Sequence, residues 1–317
     1  MSSAAFVELA LKALSCSQKD LASRLGVSSS QITKWKKGEH ISFEMQKTFR
    51  QITKIGDADP EVVLWCGSLE NAIKWERLIC FLAEISSYGA ETGFDTDPLM
   101  DGNDTLVWDT FDTLKEMGVT IPESFPEELN VNYEDIPQED EFWDLIDNNP
   151  FVNIISSIFH ALNDVYGFYA AYIDKFMMDD ELELSLTPAV NIEPCLMSLA
   201  ACKISIDQSL ASNYKEFRYN TLRDYQEWIV IVKNRVFRAG LPLKAELLDL
   251  INHSADDLGH DAEAESLGVN DSRIHPDIYM NELLVGVRMI HQVLPAIMKK
   301  LGIDEDFKLD LSDLKRK

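Results

Sequence analysis

The chain has 317 residues, 54 acidic against 29 basic side chains, a formal net charge of −25 and an apolar fraction of 46%. At ~150 residues per domain this length suggests about two domains with a real core, and the composition excludes a disordered chain. A uniformly acidic surface is repelled by phosphate and by anionic lipid, so the total speaks against nucleic acid and membranes.

Helical patterning dominates in chain order. Residues 4–14 place Phe6, Leu9, Ala10 and Ala13 at helical spacing. Residues 17–25, 28–37 and 42–55 read as three more short helices. Beyond Pro60, residues 61–87 read as one long apolar helical region that includes Val62, Trp65, Trp75, Leu78 and Leu82. Residues 88–150 are rich in proline and glycine, and only 104–117 reads as a helix there. The stretch 91–147 carries 18 acids and a single base, Lys115. Its aromatics (Phe94, Trp108, Phe111, Phe125, Tyr133, Phe142, Trp143) favour an acidic excursion that docks over a disordered connector. A strong helix is expected over 151–180, and the alternation in 181–192 suggests a short strand or extended segment. Helices follow at 193–212 and 214–239, broken by Gly240 and Pro242, then at 243–267 and 277–300, where Gly302 ends the last one. The tail 303–317 ends in Lys315-Arg316-Lys317.

Charge is unevenly spread along this order. Residues 1–56 hold nine bases and four acids, a local +5. Residues 57–149 hold three bases and 24 acids, and residues 150–317 hold 17 and 26. The positive excess therefore sits wholly at the N-terminus, beside the most acidic stretch. The five cysteines (Cys16, Cys66, Cys80, Cys195, Cys202) are odd in number and form no CxxC pair. That excludes a zinc ribbon or disulfide framework and leaves buried reduced thiols. No signal peptide and no apolar run of ~20 residues is present, so a soluble cytoplasmic protein is expected.

The strongest local signal spans Ser17 to Glu39. Ser17 can cap a helix that buries Leu21, Ala22 and Leu25, and Gly26 can stop it in the left-handed conformation of a tight turn. Val27 can pin that turn to the core. Ser28 then caps a second helix, with Gln31 three residues on to complete a capping box. Ile32 and Trp35 share an inward face, whereas Ser29, Ser30, Thr33, Lys34 and Lys37 lie toward the other side, and Gly38 ends the helix. Two short helices joined by a tight turn result. Small hydroxyls and amides on the second can approach base edges in a major groove, while lysines and helix N-termini can hold phosphates.

This segment resembles the helix-turn-helix of the Cro and phage-repressor class, the XRE family. The family's pattern falls here on Gln18, Ala22, Gly26, Ser28, Ile32, Trp35 and Gly38, and the resemblance covers residues 5–56. It implies that Gln18 holds a phosphate from the start of helix two. It also implies that Ser28, Ser29, Ser30, Gln31, Thr33 and Lys34 face the groove, and that Lys36, Lys37 and Lys47 hold backbone phosphates. Family domains close their core with a fifth helix. Residues 61–87 are available for that part but read as too long and apolar for it alone, and lead instead into a second domain or a dimer interface.

Two weaker signals favour plain structural readings. Tyr214–Arg238 mixes aromatics with Lys215, Arg218, Arg223, Lys233, Arg235 and Arg238, a pattern that can stack on unpaired bases. An amphipathic core helix, or pairing of those bases with the acidic 91–147 stretch, explains it more simply. His253, Asp257, His260 and Asp261 could share a metal, but the run continues through Glu263 and Glu265 and reads as a solvated face. No phosphate loop, nucleophile elbow or zinc-protease motif is present, and neither a cofactor nor a metal is expected.

The expected fold is mainly α: a small N-terminal helix-turn-helix bundle followed by a larger acidic α-helical domain. The expected division is 1–56 for DNA binding, 57–90 as a helical connector, 91–150 as the acidic excursion and 151–317 for partner interaction. The expected function is sequence-specific binding to double-stranded DNA, without enzymatic activity and as a homo-oligomer, because two half-sites require a dimer. The layout looks like proteins of prophage and phage-defence loci. It is similar in particular to the helix-turn-helix accessory proteins of retrons, which implies an antiviral role with a reverse transcriptase and its RNA–DNA product. The competing readings are an acidic interaction module and a toxic effector, in which the helix-turn-helix contacts a partner rather than operator DNA.

Overall fold

The computed structural model describes residues 2–90, 94–100, 105–133, 148–240 and 293–302, together with Trp143, Ile146 and Ile290. Among these residues every regular element is helical, and the sole extended pairing is an isolated antiparallel bridge between Val119 and Ala211. The chain forms two compact units, Met1–Gly167 with Glu193–Asp224, and Phe168–Ile192 with Tyr225–Lys317.

The first unit begins with α1 (Ser3–Ala13), α2 (Gln18–Leu25), α3 (Ser29–Lys36), α4 (Phe43–Thr53) and α5 (Pro60–Trp65). Each starts at a Ser or Asp whose side chain accepts a hydrogen bond from a first-turn N–H: Ser2, Ser17, Ser28, Ser42 and Asp59. These caps satisfy donors that would otherwise be orphaned, which is how helices this short persist. Their core holds Phe6, Ala10, Leu21, Ile32, Trp35 and Phe49, all buried. Phe49 sits between two rings, 5.8 Å from Phe6 and 5.9 Å, edge-on, from Trp35.

The apolar run 61–87 is two helices, not one. α5 ends at Cys66, and α6 (Leu69–Tyr88) restarts behind a Ser68 cap. Gly67 makes the corner with φ 78°, and a Cβ there would lie 2.8 Å from the Glu123 carbonyl oxygen. Asn71 fixes the corner by donating to the Cys66 carbonyl (3.0 Å) and the Glu123 carbonyl (2.9 Å). α5 is therefore the short closing helix of the N-terminal bundle. It packs on α1 and also on α6 and α7 (Leu106–Glu116), so it belongs to both the bundle and the body.

The described part of the acidic excursion docks through its aromatics. Trp75 of α6 contacts Phe111, Phe125 and Phe151, with ring centroids 5.0–6.2 Å apart. Trp65 packs on Trp108 and Phe111, the Lys115 ammonium lies 4.0 Å from the Trp65 ring centroid, and Trp108 Nε1 donates to Glu61 at 2.7 Å. Elsewhere, Thr96 donates to Asn163 Oδ1 (2.7 Å), and Asn163 Nδ2 donates to the Ser86 carbonyl (2.9 Å), all buried. These bonds tie the 94–100 segment and α6 to α8 (Pro150–Tyr169). The predicted helix over 193–212 shrinks to α9 (Leu196–Ala201), because the following turns fasten to the end of α7. There Asn213 N–H donates to the Met117 carbonyl and Asn213 Nδ2 to the Glu116 carbonyl, each at 3.0 Å. Cys66 and Cys202 are buried free thiols; burial pushes both, and half-buried Cys195, up to about 12.

In the second unit, Phe168 and Tyr172 stack at 4.9 Å, where the expected helix passes through a π-turn at Ala170–Asp174. The strand or extended segment expected over 181–192 is instead a run of 3₁₀ turns. Asp179 and Thr187 cap those turns from within, Glu183 adopts φ 49°, and no described strand lies alongside to pair. α10 (Tyr214–Arg238) spans the predicted 214–239 helix and contributes Ile229, Val232 and Val236 to this unit's core. Residues 293–301 are helical, and Gly302 (φ 69°) follows them as expected. The helices expected at 243–267 and over most of 277–292, the His253–Asp261 cluster and Lys315–Lys317 lie outside the described residues.

Candidate nucleic-acid interface

α2 and α3 are joined by a turn that the sequence dictates residue by residue. Ser17 and Asp20 form a reciprocal capping box, and the Ser17 hydrogen bonds hold the Asp20 carboxyl below its ordinary range. Gly26 ends α2 in the left-handed conformation (φ 66°), and Val27 N–H closes back on the Ala22 carbonyl at 3.0 Å. Ser28 Oγ accepts from Gln31 N–H at 3.2 Å and pairs with Ser30 Oγ at 2.8 Å. The full box expected at Ser28 and Gln31 is thus formed in its serine half, and the complete reciprocal box belongs to the helix before it.

α3 is two-faced in the expected sense. Ile32 is 0% and Trp35 6% exposed, both in the bundle core. Ser28, Ser29, Ser30, Thr33, Lys34, Lys36 and Lys37 are exposed, and Gln31 is half-buried at the edge of that face. Thr33 donates its hydroxyl to the Ser29 carbonyl (3.0 Å), so its rotamer is set before any ligand arrives. Lys34 lies 3.6 Å from Glu39 and Lys36 3.8 Å from Glu8, both between exposed side chains. Such pairs contribute about 0–1 kcal/mol and are readily exchanged for another anion. Gln18, half-buried, is the first residue of α2, at the end of that helix away from the turn. Lys47 is exposed on α4, its ammonium 4.5 Å from the ring centroid of exposed Phe43.

Arg50 is a contributor that pattern reading missed. Its guanidinium donates to the Gly56 carbonyl (2.7 Å) and the Ala58 carbonyl (2.8 Å) and lies 5.5 Å from the Phe6 ring centroid. It fastens the α4–α5 connection to the bundle. As one base among nine in this segment, it carried no signal that set it apart from the surface lysines.

The basic–aromatic helix α10 supports the structural reading. Arg218 Nε donates to the Cys202 carbonyl (3.0 Å), Arg223 pairs with Asp224 (2.6 Å), and Arg235 donates to the Leu182 carbonyl (3.1 Å) and reaches Glu183 (3.4 Å). These partners lie outside the 91–147 stretch, the alternative acceptor for these bases. Among the described residues, no group of three or more His, Cys, Asp or Glu side chains is placed to hold a metal. No described helix is long and apolar enough to cross a membrane.

A capped helix, a left-handed glycine turn and a second helix with a buried Ile–Trp side and an exposed hydroxyl–lysine side together define a helix-turn-helix bundle. Consistent with that geometry, residues 7–45 match the family model described as helix-turn-helix, which supports a DNA-binding regulator in general. No curated protein and no solved structure matches the chain significantly.

Proposed function

We propose that the protein is a cytoplasmic, sequence-specific DNA-binding regulator whose α3 reads the major groove. The observation that carries this reading is the division of α3, with Ile32 and Trp35 in the core and Ser29, Ser30, Thr33 and Lys34 facing out. The exposed hydroxyls and Lys34 supply donors and acceptors for base edges. Ser28 and Gln31 at the start of α3 face the groove beside them, whereas Gln18 at the start of α2, with Lys36, Lys37 and Lys47, supplies phosphate contacts that fix register without reading sequence. The acidic helical body serves partner contacts. The layout further supports a place in a prophage or antiviral retron locus, with a reverse transcriptase and its RNA–DNA product as the partner; co-purification of that enzyme with the intact chain tests the point.

The primary test is selection of bound duplexes from a random-sequence library by the full-length protein at low salt, followed by affinity measurement on the enriched site. Thr33→Ala and Lys34→Ala should each weaken specific binding by about 1–3 kcal/mol per lost base contact. Lys36→Ala and Lys37→Ala should weaken all sequences alike and flatten the salt dependence. Failure to enrich any sequence at low salt overturns the reading.

A further inference from the structure

α6 runs for 20 residues and buries Ala72, Trp75, Leu78, Ile79, Phe81, Leu82, Ala83 and Ser86; Phe81, packed on Tyr133 with ring centroids 4.9 Å apart, marks one edge of the covered side. Its opposite side presents Ile73, Arg77, Cys80, Glu84 and Tyr88, which fall within about 80° of arc at 100° per residue. Ile73 is 39% and Tyr88 83% exposed, Arg77 and Glu84 are exposed, and Cys80 is half-buried. Neither Arg77 nor Glu84 has an ion-pair partner among the described residues, although Lys74 on the same helix pairs with Glu70 at 3.1 Å. Arg77 is also one of only three bases in residues 57–149.

This stripe is complementary to itself when reversed. Arg77 and Glu84 lie at equal distances on either side of a point between Cys80 and Phe81, and Ile73 and Tyr88 do the same farther out. A two-fold axis through that point sets Arg77 of one copy opposite Glu84 of the partner subunit, and Ile73 beside Tyr88 of the partner subunit. A closed two-fold interface needs this reciprocity.

We propose that the protein self-associates through the solvent face of α6, packed antiparallel against the same helix of a second copy. The pairing deepens the DNA-binding reading and rests on it in one respect, the spacing. The helix-turn-helix is anchored through α5 to the N-terminal end of α6. At 1.5 Å per residue, the N-terminal ends of two antiparallel α6 helices are about 34 Å apart. Two half-sites one DNA turn apart have centres about 34–36 Å apart, a separation of the same order, although it is α3 on the bundle and not the α6 terminus that would mark each half-site. A four-turn helix face buries less than the roughly 1,200 Å² of a standard stable interface, so the free dimer is weak and an operator with two half-sites strengthens it.

Sedimentation velocity on the full-length chain without DNA, across a rising concentration series, tests the surface. The wild type should show a concentration-dependent dimer. Arg77→Glu and Glu84→Arg should each weaken self-association by at least roughly tenfold, because each sets like charges opposite in both reciprocal pairs. Mixing these two variants should restore the dimer, since both reciprocal pairs in the mixed dimer then bring opposite charges together. Tyr88→Ala, at a solvent-facing position, should also weaken it. A wild type that stays monomeric, single variants that dimerise normally, or a mixture that stays monomeric each overturns the proposal. Because no DNA is present, such an outcome leaves the helix-turn-helix reading standing, and a dimer that binds no duplex leaves the α6 pairing standing.

Discussion

Within α3, neighbouring side chains have separable duties. Trp35 is 6% exposed with its ring against Phe49, so its indole holds the bundle together and touches nothing outside. Trp35→Ala should destabilise the N-terminal bundle by about 3–5 kcal/mol, visible as a lowered thermal midpoint. Thr33→Ala and Lys34→Ala should leave that midpoint within about 0.5 kcal/mol of wild type while weakening DNA binding. A stable Trp35→Ala protein that loses DNA binding would mean that the helix presents its other face. These inward and outward roles were legible in sequence because a 3.6-residue period separates Ile32 and Trp35 from Ser29, Thr33 and Lys34. Arg50 was not legible, because its partners are the carbonyls of Gly56 and Ala58, and backbone acceptors leave no mark on residue identity.

Among the elements, the corner between α5 and α6 decides how the bundle joins the body. Gly67 adopts φ 78°, with the Glu123 carbonyl oxygen 2.8 Å from where a Cβ would stand. Gly67→Ala should cost about 1–3 kcal/mol in global stability, read from urea midpoints, because it combines backbone strain with a clash against main chain. A change below about 0.5 kcal/mol would show that the 122–124 segment yields freely. The helices themselves were legible from their caps and periodicity. The corner was not, because Trp65, Leu69 and Trp75 continue an apolar pattern across it, and the acceptor that enforces the break lies some fifty residues away. The 181–192 segment misled for a related reason. Alternation there reflects Leu182 and Leu184 entering a core from successive tight turns, while Leu186, next in the pattern, is 83% exposed. Period two signals a strand only when a neighbouring strand shares the backbone hydrogen bonds.

For the whole molecule, acidity sets the conditions of stability. Burial raises the Asp112 carboxyl above its usual range, against the opposing pull of the Lys115 ammonium and with nearby Glu61 adding to the rise, and partial desolvation together with Asp112 raises Glu116, although its side chain is exposed. The folded state therefore holds protons on these groups at pH values where the unfolded chain has released them. The resulting stability is complete below the unfolded carboxylate range and is lost as pH rises through the elevated folded values. Thermal midpoints should therefore fall as pH climbs from that range toward neutral, and Asp112→Asn or Glu116→Gln should flatten the slope. An unchanged slope in both variants would assign the pH dependence to the net charge of −25 instead. The firm seat of α5, held by α1 on one side and by α6 and α7 on the other, has a different consequence. A reading head hung on a flexible tether samples many orientations and tolerates operators of uneven length. A head locked to its chassis surrenders little orientational entropy when it docks, but it cannot swivel to follow a half-site displaced around the duplex. Each added base pair turns the second half-site by about a tenth of a revolution. For the proposed dimer, operator length would be a recognition element as strict as base identity, although no side chain reads it.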